Sequence, residues 1–260
     1  MFETITIETD ARGVATLTLA RPDKHNALSA QMIADLTKAA AQLSADDRVR
    51  VVVLTGAGKS FCAGGDLGWM QDQMRADNAT RAAEARKLAD MLGALNGMPK
   101  PLIGRVQGQA FGGGVGLMAV CDVAIGVQGA KFGLTETRLG LIPATIGPYV
   151  LARMGQAMAR RVFMSARIFG AGEAVTLGLL AHAVAPQDLD AATDAEVTPY
   201  LACAPGAVAR AKALAQRLGG NVAPDAVDHS IKELVSAWQS PEAHEGIDAF
   251  FDRRKPDWQG

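Results

Sequence analysis

Cysteine, aromatic residues, histidine and net charge are all scarce in this 260-residue chain, and each shortage removes a class of function. Its three cysteines, Cys62, Cys121 and Cys203, stand far apart. That spacing matches no zinc site, and an odd number suits reduced thiols in a cytoplasm rather than a disulfide framework. Lys and Arg total 26 against 27 for Asp and Glu, so the charge distribution carries no footprint of nucleic acid or an anionic membrane as the main partner. No run approaches the roughly 18 apolar residues of a membrane-spanning helix. The opening Met1-Phe2-Glu3-Thr4-Ile5 has an acid where a secretion signal carries basic residues. The expectation is a cytoplasmic protein with no bound metal and no nucleic-acid or membrane partner.

What is present is an α/β pattern. Thr4–Glu8 and Val14–Leu19 alternate apolar and polar residues around Asp10-Ala11-Arg12-Gly13 and read as a hairpin. Ser29 is a candidate N-cap for a helix running to about Leu43. Val49–Thr55, Leu102–Val106 and Asp122–Val127 are apolar runs of the kind found in strands covered on both faces, and helical pattern such as Thr80–Leu95 lies between them. Beyond Pro143 the chain turns Ala-rich and helical, through Leu189–Cys203, Gly206–Leu218, Ala226–Trp238 and Pro241–Arg253. A catalytic core over residues 1–195 and a helical region over residues 196–260, making subunit contacts or covering the site, is the domain plan. No repeat at a fixed period is visible.

Two Gly-rich motifs mislead. Gly56-Ala57-Gly58-Lys59-Ser60 ends like a phosphate-binding loop, but the glycine required five residues before the Gly-Lys-Ser triplet is Val53, inside a strand. Gly112-Gly113-Gly114-Val115-Gly116 resembles a dinucleotide fingerprint, yet Leu117 stands where its third glycine belongs. A different use fits better. The strands at Val51 and Leu102 each lead to a glycine turn followed by helical pattern, at Phe61-Cys62-Ala63-Gly64-Gly65-Asp66 and at Phe111-Gly112-Gly113-Gly114. Such turns leave the first N–H groups of a helix free, and two side by side would make an oxyanion hole. Tight packing alone would also explain either turn taken singly.

Gly108-Gln109-Ala110-Phe111-Gly112-Gly113-Gly114, Cys121-Asp122, Lys131-Phe132-Gly133-Leu134-Thr135-Glu136 and Leu139-Gly140-Leu141-Ile142-Pro143 closely resemble the crotonase (enoyl-CoA hydratase/isomerase) superfamily. Arg21-Pro22, Asn26-Ala27-Leu28, Phe61–Asp66 and the stretch from Glu245-Gly246 to Pro256 extend the likeness over nearly the whole chain. The resemblance implies a spiral of ββα units, a C-terminal helical trimerisation region, and assembly as a homotrimer or dimer of trimers. It implies an acyl-CoA substrate, with coenzyme A part of that substrate and no separate cofactor. The oxyanion hole falls on the N–H groups of Gly65 and Gly113. Ala63, Asp66 and the loop from Lys24 to Ala27 fall among the contacts to the coenzyme A end, and Lys255 at the place from which some members reach a neighbour's coenzyme A.

Hydratases of the family use two glutamates. The second falls on Glu136, and the first on Gly116, which is a departure and joins the expected substrate contacts only as the residue at that place. Asp122 is the only other acid from Arg105 to Val150, at a position the family uses structurally. Glu136 is therefore the single candidate acid, in surroundings such as Leu134, Leu139 and Ile142 that would raise its pKa. One acid without the other is the isomerase pattern, in which a base moves a proton from C2 to C4. The segment around Gly114–Leu117, Arg138 and Ile142–Ala144 instead looks like bacterial hydratases of branched acyl-CoAs, the methylglutaconyl-CoA type, and hydration is the leading expectation. Water would then be held by Glu136 with help from Gln107 or Gln109, and Arg138 could pair with a second substrate carboxylate. His25, His182, His229 and His244 lie outside both glycine turns, which leaves no histidine base. A binder that kept the hole and lost its activity is the rival of another class.

Overall fold

A computed structural model describes residues 2–219 and 222–259; Met1, Gly220, Asn221 and Gly260 lie outside the described residues. Strands β1 (Ile5–Thr9) and β2 (Val14–Leu19) form the expected antiparallel hairpin. Its turn is closed by Gly13 at φ +83° and by the Asp10 carboxylate, which accepts from the N–H groups of Arg12 and Val14. Helix α1 (Ala30–Ala45) starts at Ser29, whose hydroxyl accepts from the Met32 N–H. It packs its buried Met32, Ile33, Leu36, Ala39, Ala40 and Leu43 inward.

The chain then runs three times through the same unit. Strand β3 (Val51–Gly56) is followed by the short β4 (Ser60–Cys62) and by helices α2 (Leu67–Arg75) and α3 (Asn78–Asn96). Strand β5 (Leu102–Val106) is followed by β6 (Gln109–Phe111) and α4 (Gly113–Ala119). Strand β7 (Val123–Val127) is followed by β8 (Lys131–Gly133), a 3-10 turn at Glu136–Leu139, and α5 (Gly147–Met154). The remainder is α6 (Gln156–Phe163), β9 (Phe169–Gly170), α7 (Ala171–Thr176), β10 (His182–Val184), α8 (Leu189–Leu201), α9 (Pro205–Leu218), α10 (Pro224–Trp238) and α11 (Pro241–Phe251).

The first strand of each unit joins a six-stranded sheet, ordered β1-β2-β3-β5-β7-β10, and the second joins a four-stranded sheet, β4-β6-β8-β9. This is the crotonase spiral of ββα units. All pairings among β2, β3, β5, β7 and β10 are parallel, and β4, β6 and β8 are parallel as well. Strand β3 is buried along its whole length and β7 is apolar throughout, as befits strands covered on both faces. Val52 and Leu54 enter the main core, while the alternate residues Val51 and Val53 pack with Ile103 against Val197 of α8. The boundary expected between residues 195 and 196 therefore falls within α8, and this helix goes with the sheet that it covers. The repeat has no fixed period because α2 and α3 lengthen the first unit, so the strands start unevenly at Val51, Leu102 and Val123.

Helix α11 returns to the 3-10 turn. A Cβ on Gly246 would lie 2.6 Å from the Leu139 carbonyl carbon, and one on Gly140, already at φ +68°, would lie 2.3 Å from the carbonyl carbon of Glu242. Two glycines thus permit backbone-to-backbone contact between α11 and the turn that carries Glu136. Alanine in a helix interior ordinarily gains up to about 1 kcal/mol over glycine. At Gly246 the obstacle is main chain that cannot rotate aside, and overpacking of this kind costs about 1–3 kcal/mol. Gly246→Ala is expected to lower stability in denaturant titrations, whereas Gly172→Ala in α7, where a Cβ meets nothing within 4 Å, stays neutral or stabilising.

Candidate active site

Each of the three parallel strands of the small sheet, β4, β6 and β8, ends in a turn, and their pairing sets these ends side by side. Ser60 pairs with Gln109 and Cys62 with Ala110; Ala110 pairs with Phe132 and Phe111 with Gly133. At the first turn Gly64 takes φ +95°, and a Cβ there would come within 3.0 Å of the Phe111 carbonyl oxygen. Leu28 bridges to Gly65: its N–H donates to the Gly64 carbonyl at 2.7 Å and its carbonyl accepts from the Asp66 N–H at 3.0 Å. In such a parallel bridge Leu28 uses both of its groups, so the N–H of Gly65 faces the opposite way.

The loop before Leu28 is stapled to this turn. His25 and Asn26 sit at φ 50° and 55°, a left-handed conformation that Asn and His tolerate better than most residues. The buried Asn26 side chain donates to the carbonyls of Ala57 and Ser60 and accepts from the Arg21 N–H. Ala63 N–H donates to the His25 carbonyl. Arg21 donates to the Ala27 carbonyl and forms a 2.9 Å ion pair with Asp66. Asp66 also caps α2 by accepting from Gly68 and Trp69. Partial burial works against its charge, but Arg21 and the helix N–H groups prevail and hold its carboxyl below the usual range.

At the second turn Gly112 adopts φ +46° and donates its N–H to the Gly133 carbonyl at 2.9 Å. Gly113 opens α4, where the first N–H groups have no intrahelical acceptor. Neither Gly65 nor Gly113 donates its N–H to a backbone acceptor among the described residues. A Cβ added to Gly112 or to Gly113 would in each case lie 3.9 Å from the Gly64 Cα, so the two turns are in contact.

The third turn supplies the carboxylate. The same added Cβ on Gly112 would be 3.1 Å from Glu136 Oε1, and Oε2 is closed to solvent with no hydrogen-bond partner among the described residues. The residue is half-buried as a whole, but its carboxyl end is enclosed. Burial pushes its pKa up to about 7, against a smaller downward pull from its own backbone N–H.

These three turns border a cavity of about 470 Å³. Leu28, Trp69, Met70, Leu139, Ile142 and Ile146 make much of its apolar wall, and Trp238 of α10 and Phe250 of α11 complete it. Arg81 steadies one side: it donates to the carbonyls of Gln73 and Met74 at the end of α2 and lies over the Trp238 ring. Glu136 is the only acidic side chain on the lining among the described residues.

Ala63, Gly65, Gly113, Glu136 and Arg138 all line this cavity, with Arg138 exposed at its edge. Lys24 and Lys255 are exposed and off the lining, and Ala27 and Asp66 stand behind it in the Arg21 network. Gly116 is buried one layer back: a Cβ there would lie 2.5 Å from Ile146 Cγ2 and 3.0 Å from its Cβ. Gln107 and Gln109 are a correction to the water-holding expectation. Gln107 donates to Ser60 and accepts from Gly56, Gln109 donates to the Ser60 hydroxyl, and neither reaches the cavity. Asp122 accepts from the Leu102 N–H and from Lys212, as a structural acid would. Thr145, Ile146, Trp238 and Phe250 were not anticipated on the wall; they sit far from either glycine turn in the chain, and no local pattern marks them.

The profile of the enoyl-CoA hydratase/isomerase family matches residues 9–260. The chain belongs to that family. A crystal structure of an enoyl-CoA hydratase from Mycobacterium avium superposes with a TM-score of 0.89 at 32% identity, covering 99% of this chain and 100% of that one. An enoyl-CoA hydratase from Shewanella pealeana gives 0.81 at 36% identity, covering 99% and 97%. The enoyl-CoA hydratase AKT6-1 of Alternaria alternata is 35% identical over 246 residues, 94% of this chain and 80% of that protein. This crotonase is accordingly an enzyme of a family that acts on acyl-CoA substrates. No helix among the described residues is long and apolar enough to cross a membrane.

Two outcomes follow from the geometry. Gly116→Ala would gain helix propensity of up to about 1 kcal/mol, but its methyl meets Ile146, a β-branched side chain with little rotameric freedom. The net effect is a loss of about 1–3 kcal/mol, and the double substitution with Ile146→Ala is less destabilised than the sum of the singles in a denaturation cycle. Glu136 binds its proton more tightly in the folded chain than in the unfolded one. Its contribution to stability is complete below its ordinary pKa of 4.5 and is lost as pH rises through about 7. Relative to Glu136→Gln, the wild type should therefore lose melting temperature between about pH 5 and 8; parallel curves would contradict the raised pKa.

Proposed function

We propose that this crotonase adds water to a 2-enoyl-CoA, and the observation that carries the reading is a buried Glu136 Oε2 with no hydrogen-bond partner beside two glycine N–H groups that donate to no backbone acceptor, all among the described residues. The thioester oxygen accepts from the N–H groups of Gly65 and Gly113. Ionised Glu136 takes a proton from water as the water oxygen bonds to C3. The electron pair of the double bond moves into the thioester and forms an enolate whose charge the two N–H groups stabilise. Glu136, now protonated, delivers that proton to C2. A pKa of about 7 makes both forms accessible near neutral pH, which suits a group that must accept and then donate.

The acyl group is of the branched, methylglutaconyl type in this reading, with Arg138 at the cavity edge as partner for a second carboxylate. Coenzyme A arrives as part of the substrate, and no further cofactor takes part. Its adenine and phosphate end lies along Lys24–Ala27, Ala63 and Asp66. Lys255 reaches the coenzyme A of a neighbouring subunit in a homotrimer or dimer of trimers located in the cytoplasm. A second reading, Δ3,Δ2-enoyl-CoA isomerase, is favoured by one specific observation, that Glu136 is the only carboxylate on the lining among the described residues. A binder without activity is disfavoured, because an enclosed carboxyl with a raised pKa is costly to maintain without use.

Purified protein is offered crotonyl-CoA, 3-methylglutaconyl-CoA and a 3-enoyl-CoA, with absorbance and mass followed together. Hydration removes conjugation and adds the mass of water; isomerisation creates conjugation at constant mass. Glu136→Gln should lower turnover by about 10²–10⁴-fold, and Gly113→Val should abolish it in a folded protein. No turnover of any thioester, with wild type and Glu136→Gln alike, would falsify the enzymatic reading.

A further inference from the structure

Two buried side-chain oxygens lack a hydrogen-bond partner among the described residues, and both belong to residues that line the cavity: Glu136 Oε2 and Thr145 Oγ1. Thr145 is only 3% exposed. A hydroxyl enclosed without a partner is destabilising, and such groups in folded proteins call for a specific explanation. Packing does not supply one, since valine has the same shape and carries no unsatisfied oxygen.

Local structure does not supply one either. Thr145 stands just before α5, where a hydroxyl commonly caps the helix, yet Ile146 occupies the cap position and no side chain caps this end. The surrounding main chain is already paired: Gly147 N–H donates to the Ala144 carbonyl, and Tyr149 and Val150 donate to that of Ile146. Position is the second clue. Ile146 fills the space into which α4 would project a side chain at Gly116, and the residue next to it brings a hydroxyl to the same cavity wall. The site thus carries an apolar plug over Gly116 and, next to the plug in the chain, a hydroxyl with no partner among the described residues.

We propose that the Thr145 hydroxyl hydrogen-bonds the oxygen at C3 of the acyl chain, first as the attacking water and then as the product hydroxyl. Thr145 thereby becomes a substrate-contacting residue on the same cavity as the glycine N–H groups, while Glu136 alone moves the proton. This role rests on the hydratase reading above.

Calorimetric binding of 3-hydroxybutyryl-CoA and butyryl-CoA tests it without requiring turnover. The wild type should prefer the hydroxylated ligand by about tenfold, equivalent to about 1.4 kcal/mol. In Thr145→Val that preference falls to within about twofold with butyryl-CoA affinity unchanged, and Thr145→Ser retains it. Because the valine variant removes an unsatisfied group, it should melt at or above the wild-type temperature, whereas a purely structural threonine would melt lower on substitution. A valine variant that keeps the tenfold preference, or a wild type that has none, overturns the role of Thr145. If the wild type hydrates 2-enoyl thioesters normally in that case, only this role falls; if it hydrates none, the hydratase reading falls with it.

Discussion

Parallel pairing of the three short strands β4, β6 and β8 is the constraint on which the site depends. The register Cys62 to Ala110 and Phe111 to Gly133 brings three strand ends together. From these ends emerge the Gly64-Gly65 turn, the Gly112-Gly113 turn and the Glu136 turn. Because the large sheet advances one strand per unit, equivalent positions of successive units become neighbours in space although they are far apart in the chain. A bond from the Gly112 N–H to the Gly133 carbonyl fixes the second turn to the third, and Leu28 fixes the first. Two donors and one carboxylate are thereby held by main chain rather than by flexible side chains, which is what preorganised charge stabilisation needs.

Glutamate enclosed at such a place is destabilising in its charged form, and the rest of the structure is arranged to tolerate it. The raised pKa lets the group shed its charge near neutrality. Glycines at 140 and 246 allow α11 to rest directly on the main chain of the same turn, so the carboxyl cannot escape to solvent by moving the turn outward. Helices α10 and α11 also bring Trp238 and Phe250 to the cavity, which ties the wall to the far end of the chain. Stability and chemistry are coupled here through one segment.

Gly116 shows how the absence of a side chain is compensated. Ile146 fills the space that a side chain at residue 116 would occupy, and this part of the wall is apolar. Gly116 and Ile146 thus pack as a pair, and an acid introduced at residue 116 alone would meet a β-branched side chain. Chemistry at this wall is left to neighbours of Ile146 rather than to α4.

The α/β class, the hairpin, most helices, both glycine turns and Glu136 as the candidate acid were legible in the sequence. Each of these is written in local signals: continuous apolar runs for strands covered on both faces, Ser29 as a cap, glycine where φ must be positive, and one acid in an apolar segment. The short strands β4, β6 and β8 escaped notice because three residues cannot display a period. The commitments of Gln107 and Gln109 were illegible because a side-chain amide carries no mark of its partner. Tertiary packing alone sets Gly116 behind Ile146, puts Thr145 on the cavity wall with a buried hydroxyl that has no partner among the described residues, and brings Trp238 and Phe250 to close the cavity. The physical reason is that these relations join segments distant in the chain, and what brings them together is strand register and helix packing, which no local pattern encodes.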